Sequence, residues 1–195
     1  MMNNKDFAVF ILTHGRPNKV YTIEALKKHG YTGKIYLIID NEDKTSEEYY
    51  KKFENVIMFD KKAIAEETDT IDNFNDLRGV VYARNACFNI AKDLNITYFM
   101  VLDDDYTSFD YRLYIDKAIF KNIKNLDKIF DVTLDYYKTI NVKSIAFAQT
   151  GDFIGGIDNG NKLFRFSLRK IMNSFLCSTE RPFKFMGRIN EDVNV

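Results

Sequence analysis

The chain is most constrained by Tyr98-Phe-Met-Val-Leu-Asp-Asp-Asp-Tyr106, where an unbroken apolar run delivers three consecutive carboxylates. Tyr98 to Leu102 suits a strand buried on both faces, and nothing about it asks for a helix. The aspartates then stand where that strand ends. Side chains alternate along a strand, so Asp103 and Asp105 are expected on one side and Asp104 on the other. Two co-facing carboxylates with no Lys or Arg among them repel each other unless a cation lies between. Oxygen donors of this kind suit a hard divalent ion such as Mg²⁺ or Mn²⁺. A solvated acidic turn would account for an isolated pair of aspartates; three directly after an apolar strand favour a site.

Read from the amino terminus, Phe7 to Leu12 is a buried strand, followed by Thr13-His-Gly-Arg-Pro17. A helix follows with Val20, Ile23 and Leu26 on one stripe, Pro17 in its first turn and Gly30 at its end. Lys34 to Asp40 is a second strand. Thr45 to Phe53 reads as a short helix opened by a Thr45–Glu48 capping box, and Asn55 to Asp60 as a third strand. Lys61 to Asp76 is polar and irregular and reads as a loop. Gly79 to Leu94 resumes helix, with Arg84 beside its apolar face, where a guanidinium needs a carboxylate or phosphate partner. Tyr106 to Ile115 reads as a hairpin strand, and about Asp116 to Thr139 as a long helix with Lys117, Lys121, Lys124 and Lys128 on a solvated face. Lys143 to Ala148 is a strand, Gly151 to Gly156 a glycine-rich loop, and Leu163 to Val195 two or three short strands. Strands alternating with helices predict an α/β fold with parallel pairing and ligands at the strands' carboxyl ends.

Composition bounds the size of the answer. The 195 residues, 46% of them hydrophobic, suffice for one well-formed core and are too few for two, so one domain spanning 1–195 is expected. The polar amino terminus leads into an apolar stretch too short for a signal peptide or a membrane span, which predicts a cytoplasmic protein that does not meet membrane. Cys87 and Cys177 lie far apart and are expected to be reduced and buried. His14 and His29 are too few for a histidine metal cluster; His29 reads as an exposed helix end and His14 as a loop residue able to touch a diphosphate. Net charge is zero, yet twelve acids face five lysines between Asp40 and Asp76, while seven Lys or Arg face one Glu between Asn159 and Ile189. A polyanionic partner would therefore meet the later part of the chain.

The order of strand, Thr13-His-Gly-Arg-Pro17, Asp40 after the second strand, Arg78-Gly79 opening a helix with Ala83-Arg84-Asn85, and then Leu102-Asp-Asp-Asp105 resembles the GT-A nucleotide-sugar glycosyltransferases. With Asn190-Glu-Asp192 near the end, the chain from Phe7 to Asn194 resembles the phage-encoded TET-associated glycosyltransferases. The resemblance implies a Rossmann-like three-layer sandwich with a mostly parallel sheet, its nucleotide-sugar half at about 1–106 and its acceptor half at about 107–195. It implies a nucleotide pocket lined by Thr13, His14, Arg16, Asp40, Arg78 and Asp104, with Asp40 accepting from the base. Arg84 would orient the carboxylates or meet the diphosphate. Asp103 would hold the ribose or the metal shell, and Asp105 would ligate Mn²⁺ or Mg²⁺. Asp192, with Glu191 as second choice, would be the general base on the acceptor hydroxyl. The implied donor is a UDP-sugar and the implied acceptor a hydroxymethylated pyrimidine in phage DNA, within the bacterial host cytoplasm. GT-A enzymes continue past this motif, so an end three residues after Asp192 reads as a truncated form, a minimal enzyme or a protein completed by a partner.

Two other readings use the same residues. Asp103-Asp-Asp105-Tyr-Thr107 also matches the Asp-x-Asp-x-Thr signature of haloacid-dehalogenase-like phosphatases, with Asp103 as nucleophile, Asp105 as acid or base, and Asp152 and Asp158 as later acids. That signature normally follows the first strand, whereas here about three strand-and-helix units precede it. The last reading is a nucleotide-binding module without turnover.

Overall fold

Alternating side chains of the central strands sort into two apolar layers, and this sorting sets the architecture. The computed structural model describes residues 6–72, 74, 76–114, 118–148 and 174–188. In chain order its elements are β1 (Phe7–Leu12), α1 (Tyr21–Lys28), β2 (Lys34–Asp40), α2 (Ser46–Lys52), β3 (Val56–Phe59), α3 (Lys61–Glu66), α4 (Val81–Asp93), β4 (Tyr98–Asp103), β5 (Asp110–Tyr114), β6 (Ala118–Asn122), α5 (Leu126–Thr139), β7 (Ile145–Ala146) and β8 (Ser174–Ser178). Six strands form one sheet in the order β3-β2-β1-β4-β8-β7. The pairings from β3 to β4 are parallel, and β8 runs antiparallel to both β4 and β7.

On one face Phe7, Val9, Ile11, Met100 and Leu102 pack with Leu26 of α1 and with Leu126, Phe130 and Leu134 of α5. On the other, Ala8, Phe10, Leu12, Phe99 and Val101 pack with Val81, Ala86, Phe88 and Ala91 of α4. A strand apolar at every position thus has helices on both sides, which is why β1 and β4 lack the polar alternation of a half-exposed sheet. The result is the mostly parallel, Rossmann-like α/β sandwich that the resemblance implies. Cys87 and Cys177 are buried and free, as expected. Among the described residues, no helix is long and apolar enough to cross a membrane.

Several local expectations are corrected. Residues 61–66 are helical, because the Asp60 side chain accepts from the amides of Lys62 and Ala63 and caps α3. The Thr45–Glu48 capping box does not form: the Thr45 hydroxyl donates to Asp43 Oδ1 at 2.7 Å. The helix expected from Asp116 begins at Leu126, with Asn125 Oδ1 accepting from Lys128 N at 2.9 Å; Ala118–Asn122 pairs instead with Asp110–Tyr114. The lysine row is therefore not one helical face. His29 is buried, not exposed: Nδ1 donates to the Ile123 carbonyl at 2.7 Å and Nε2 accepts from Phe109 N, joining the end of α1 to the hairpin's base. Gly30 continues that junction at φ +80°, where a Cβ would stand 2.5 Å from the Lys124 carbonyl oxygen. Pro17 precedes α1 and is not in its first turn.

Candidate active site at the strand ends

From β1 the sheet grows one way through β2 and β3, and then the chain returns to add β4 on β1's other side. The carboxyl ends of β1 and β4 thus flank the point where strand order reverses, the usual ligand crevice of an open parallel sheet. A cleft of about 400 Å³ lies there, lined by Thr13, His14, Arg16, Asp40, Lys61, Arg78, Gly79 and all three aspartates of the triplet.

Asp104 holds one wall together. Its carboxylate accepts from the Thr13 hydroxyl at 2.6 Å and pairs with Arg16 Nη2 at 3.0 Å, and its side chain is only 1% exposed. The Tyr49 hydroxyl, on α2, accepts from Arg16 N at 2.8 Å and lies 2.9 Å from Thr13 Oγ1. Since the Thr13 proton goes to Asp104, Tyr49 donates to Thr13, and the hydrogen bonds run in one direction from Tyr49 to Thr13 to Asp104. A carboxylate so enclosed positions the loop after β1 while forming part of the cleft wall. The triplet's backbone is fixed from below. Thr22, buried in α1, donates its hydroxyl to the Asp103 carbonyl at 2.6 Å and its amide to the Asp104 carbonyl at 3.2 Å.

The wall over β2 and β3 is built around Asp40. Its Oδ2 accepts from His14 Nδ1 at 2.8 Å and from the buried Lys61 ammonium at 3.3 Å, while Oδ1 accepts from Glu42 N. Beside it, Asp43 accepts from Gly15 N at 2.7 Å and from the amide and hydroxyl of Thr45. Burial pushes the Asp43 carboxyl up, but the hydrogen bonds from Thr45 and Gly15, with the His14 charge, outweigh it and hold it below its ordinary range.

Asp103, half-buried, and Asp105, exposed, complete the cleft at the end of β4. β4 ends at Asp103, so strand alternation does not carry through the triplet, yet burial still separates Asp104 from its neighbours. Burial and the charges of Asp103 and Asp105 push the Tyr106 hydroxyl well above its ordinary value. Among the described residues, no three His, Cys, Asp or Glu side chains gather as a ready-made cation cage. Mg²⁺ commonly uses one or two carboxylates and completes its shell with water and phosphate oxygens, and Asp103 with Asp105 could supply that pair.

At the rim, Arg78 is 90% exposed and forms a two-pronged pair with Asp76, Nη2 to Oδ2 at 2.7 Å. Arg188 bridges Asp72 and Asp76 at 3.0 and 3.3 Å, and its Cγ lies where a Cβ on Gly79 (φ +147°) would come within 3.3 Å. Arg84 does not line the cleft. It is buried under Phe175 and Phe185, its guanidinium carbon 4.9 and 5.6 Å from their ring centres. Glu191, Asp192 and the 151–156 loop, with Asp152 and Asp158, lie outside the described residues.

The sequence matches the family described as TET-Associated Glycosyltransferase over residues 7–195. The chain belongs to that family. It is therefore a glycosyltransferase by family, which sets aside the phosphatase reading of the triplet. No curated protein and no solved structure matches the chain. A glycosyltransferase needs sites for a nucleotide-sugar and an acceptor, and Thr13, His14, Arg16, Asp40, Arg78, Asp103 and Asp105 line one cleft. Lys61, Asp43, Tyr49 and Thr22 were missed. Lys61 stands two residues after the end of a parallel strand, which is itself a signal for a crevice residue. A tyrosine on an apolar stripe, such as Tyr49, signals a hydroxyl that must find a partner when buried. For Thr22 and Asp43 the sequence offers no such pointer.

Proposed function

We propose that this TET-associated glycosyltransferase is a GT-A enzyme that transfers a sugar from a UDP-sugar to the hydroxymethyl group of a modified pyrimidine in DNA, with Mn²⁺ or Mg²⁺ as cofactor. The observation that carries the donor site is the division of labour at the β1–β4 crevice. All three aspartates line the crevice, but Asp104 is buried and bonded to Thr13 and Arg16, whereas Asp103 is half-buried and Asp105 exposed. The metal, held by Asp105 and Asp103, would offset charge developing on the departing diphosphate. Arg16, steered by Asp104 and Tyr49, adds a cation at the cleft's mouth, and Arg78 another at its rim. Asp40 accepts from the base. An alcohol is a weak nucleophile, and Asp192 takes its proton, with Glu191 as second choice. Arg188 supports this role, since the chain four residues before Asp192 is anchored against Gly79 at the cleft edge.

The DNA acceptor rests on the family resemblance and on the basic stretch from Lys162 to Arg188. A base in duplex DNA would be flipped out to react, and phosphate contacts would make binding salt-dependent. The test is incubation of the full chain with UDP-glucose or UDP-N-acetylglucosamine, Mn²⁺ and DNA carrying 5-hydroxymethylcytosine, read by intact mass. A gain of one hexose or one N-acetylhexosamine, according to the donor, that falls by roughly 10²–10⁴-fold in rate in Asp192→Asn is expected. Mass gain undiminished in Asp192→Asn would remove that residue as base, and no gain with either donor would count against the acceptor assigned here.

A further inference from the structure

We propose that the β5–β6 hairpin and the lysines at its root form the surface that grips duplex DNA beside the target nucleotide. The inference rests on the DNA acceptor proposed above and gives it a docking surface.

The hairpin stands outside the main sheet, as a separate two-stranded ribbon. Such a ribbon is marginal in water by itself, so its root must be held. The buried His29 does this: Nδ1 donates to the Ile123 carbonyl after β6, and Nε2 accepts from Phe109 N before β5. Ile123 N closes the same junction on the Phe109 carbonyl at 3.0 Å. One short helix also ties this root to the aspartate triplet. Thr22 in α1 donates to the carbonyls of Asp103 and Asp104, His29 ends α1, and the helical stretch between them spans about 10 Å. Tyr106, directly after the triplet, stacks on Phe109 with ring centres 5.8 Å apart. The ribbon is therefore a fixed projection within a short helix's length of the cleft.

Its chemistry assigns the partner. Strand alternation puts Tyr111 and its register partner Lys121 on one side of the ribbon and Phe120 on the other. Tyr111 is 38% and Phe120 64% exposed. Lys121 and Lys124 are exposed, as is Lys28 across the His29 junction, where Gly30 abuts the Lys124 carbonyl. The carboxylates among them are occupied. Asp127 is buried against the amide and hydroxyl of Thr32, Asp110 accepts from the Ser108 hydroxyl and the Asn122 amide, and Glu24 lies 3.6 Å from Lys27. What meets solvent is cationic, with aromatic rings between the charges. Lysine is depleted at the centre of protein–protein interfaces, and on an open strand edge it opposes pairing with another chain, which argues against a protein partner or a second copy. A ribbon that had only to stay soluble would not display Phe120. For DNA the parts fit: lysines meet phosphates, rings cover sugars and bases, and the roughly 12 Å major groove admits a two-stranded ribbon.

The test is fluorescence anisotropy of a labelled duplex carrying 5-hydroxymethylcytosine, titrated with the full chain between about 50 and 200 mM salt. The native protein is compared with the double variant Lys121→Gln/Lys124→Gln, with Phe120→Ser, and with Lys51→Gln/Lys52→Gln on α2 as control; UDP binding with Mn²⁺ is measured on each. For each hairpin-root lysine removed, the slope of log affinity against log salt should become shallower by about 0.9. Phe120→Ser should bind roughly tenfold more weakly at unchanged slope. UDP binding and the control should match the native protein. A native slope and affinity in the hairpin variants would put DNA on another surface and overturn the proposal. Parallel loss of UDP and DNA binding would make the ribbon a structural element and overturn it too, as would a native dimer that Phe120→Ser dissolves. If the native chain binds no DNA, or binds it independently of salt, the acceptor reading falls first and this inference with it.

Discussion

Two Arg–Asp pairs border the cleft, and their surroundings make them different things. Asp104 meets Arg16 at 3.0 Å while also accepting from Thr13, enclosed among residues of β1, β4 and α2. Asp76 meets Arg78 at the closer distance of 2.7 Å, but Arg78 is itself in water, the two lie two residues apart in sequence, and Asp76 has a second cation in Arg188. Distance alone would rank the rim pair first. Enclosure reverses the ranking, because the buried carboxylate has no water to replace a lost partner, whereas exposed pairs are screened and exchange freely with solvent. The inner pair organises the site, and the outer pair supplies a cation that a ligand can recruit.

The comparison breaks most visibly at Asp104. Asp104→Ala leaves the Thr13 hydroxyl and Arg16 without their acceptor and should lower stability by about 2–3 kcal/mol, read as a shifted urea midpoint at unchanged slope. A change below half of that would mean water already serves the loop. Tyr49→Phe removes the hydroxyl that serves Thr13 and Arg16 N, with an expected loss of about 1–2 kcal/mol. Combined with Asp104→Ala it should cost less than the sum, since both act on one chain of hydrogen bonds. Strict additivity would show that the two residues work independently.

Asp43 gives a smaller, pH-dependent effect. Its folded value lies below the ordinary 3.8, so the unfolded chain binds the proton more readily. Its contribution is present above that value and is lost as pH falls through the folded one. Acid unfolding curves of the native protein and Asp43→Asn should therefore keep a constant gap above about pH 4 and draw together as pH falls below it. Parallel curves throughout would remove the hydrogen-bonding account of Asp43. The smallest effect belongs to the rim. The two-pronged Arg78 pairing holds Asp76 well below the usual carboxylate range, yet Arg78 sits in solvent and Arg188 still pairs with Asp76 when it is lost, so Arg78→Gln should leave the thermal midpoint unchanged while weakening nucleotide binding at low salt.

The four parallel strands and the crevice they create were legible in sequence because unbroken apolar runs ending in polar residues mark them locally. Phe7–Leu12, Lys34–Asp40 and Tyr98–Asp103 form where the pattern places them. Long-range pairing was not legible. Ile119, Ile123, Leu126 and Phe130 are spaced as on one helix, but the pairing of Ala118–Asn122 with Asp110–Tyr114 overrides that period up to the Asn125 cap. The three aspartates announced a site, yet which one is consumed internally depends on Thr13, Arg16 and Tyr49, which lie 55 or more residues earlier. The helix that carries Lys61 escaped because six residues with polar ends have no periodicity to detect, although the residue's place just past a parallel strand was a pointer in itself.

The central claim, that the β1–β4 crevice binds a nucleoside diphosphate through a metal on Asp105, is tested most directly by thermal unfolding with UDP, with and without Mn²⁺, for the native chain and Asp105→Asn. At a hundred times the dissociation constant the bound native protein should gain about 2.7 kcal/mol, a rise of roughly 5–10 °C in Tm that requires Mn²⁺ and vanishes in Asp105→Asn. An equal rise in Asp105→Asn, or none in the native chain, would contradict the account.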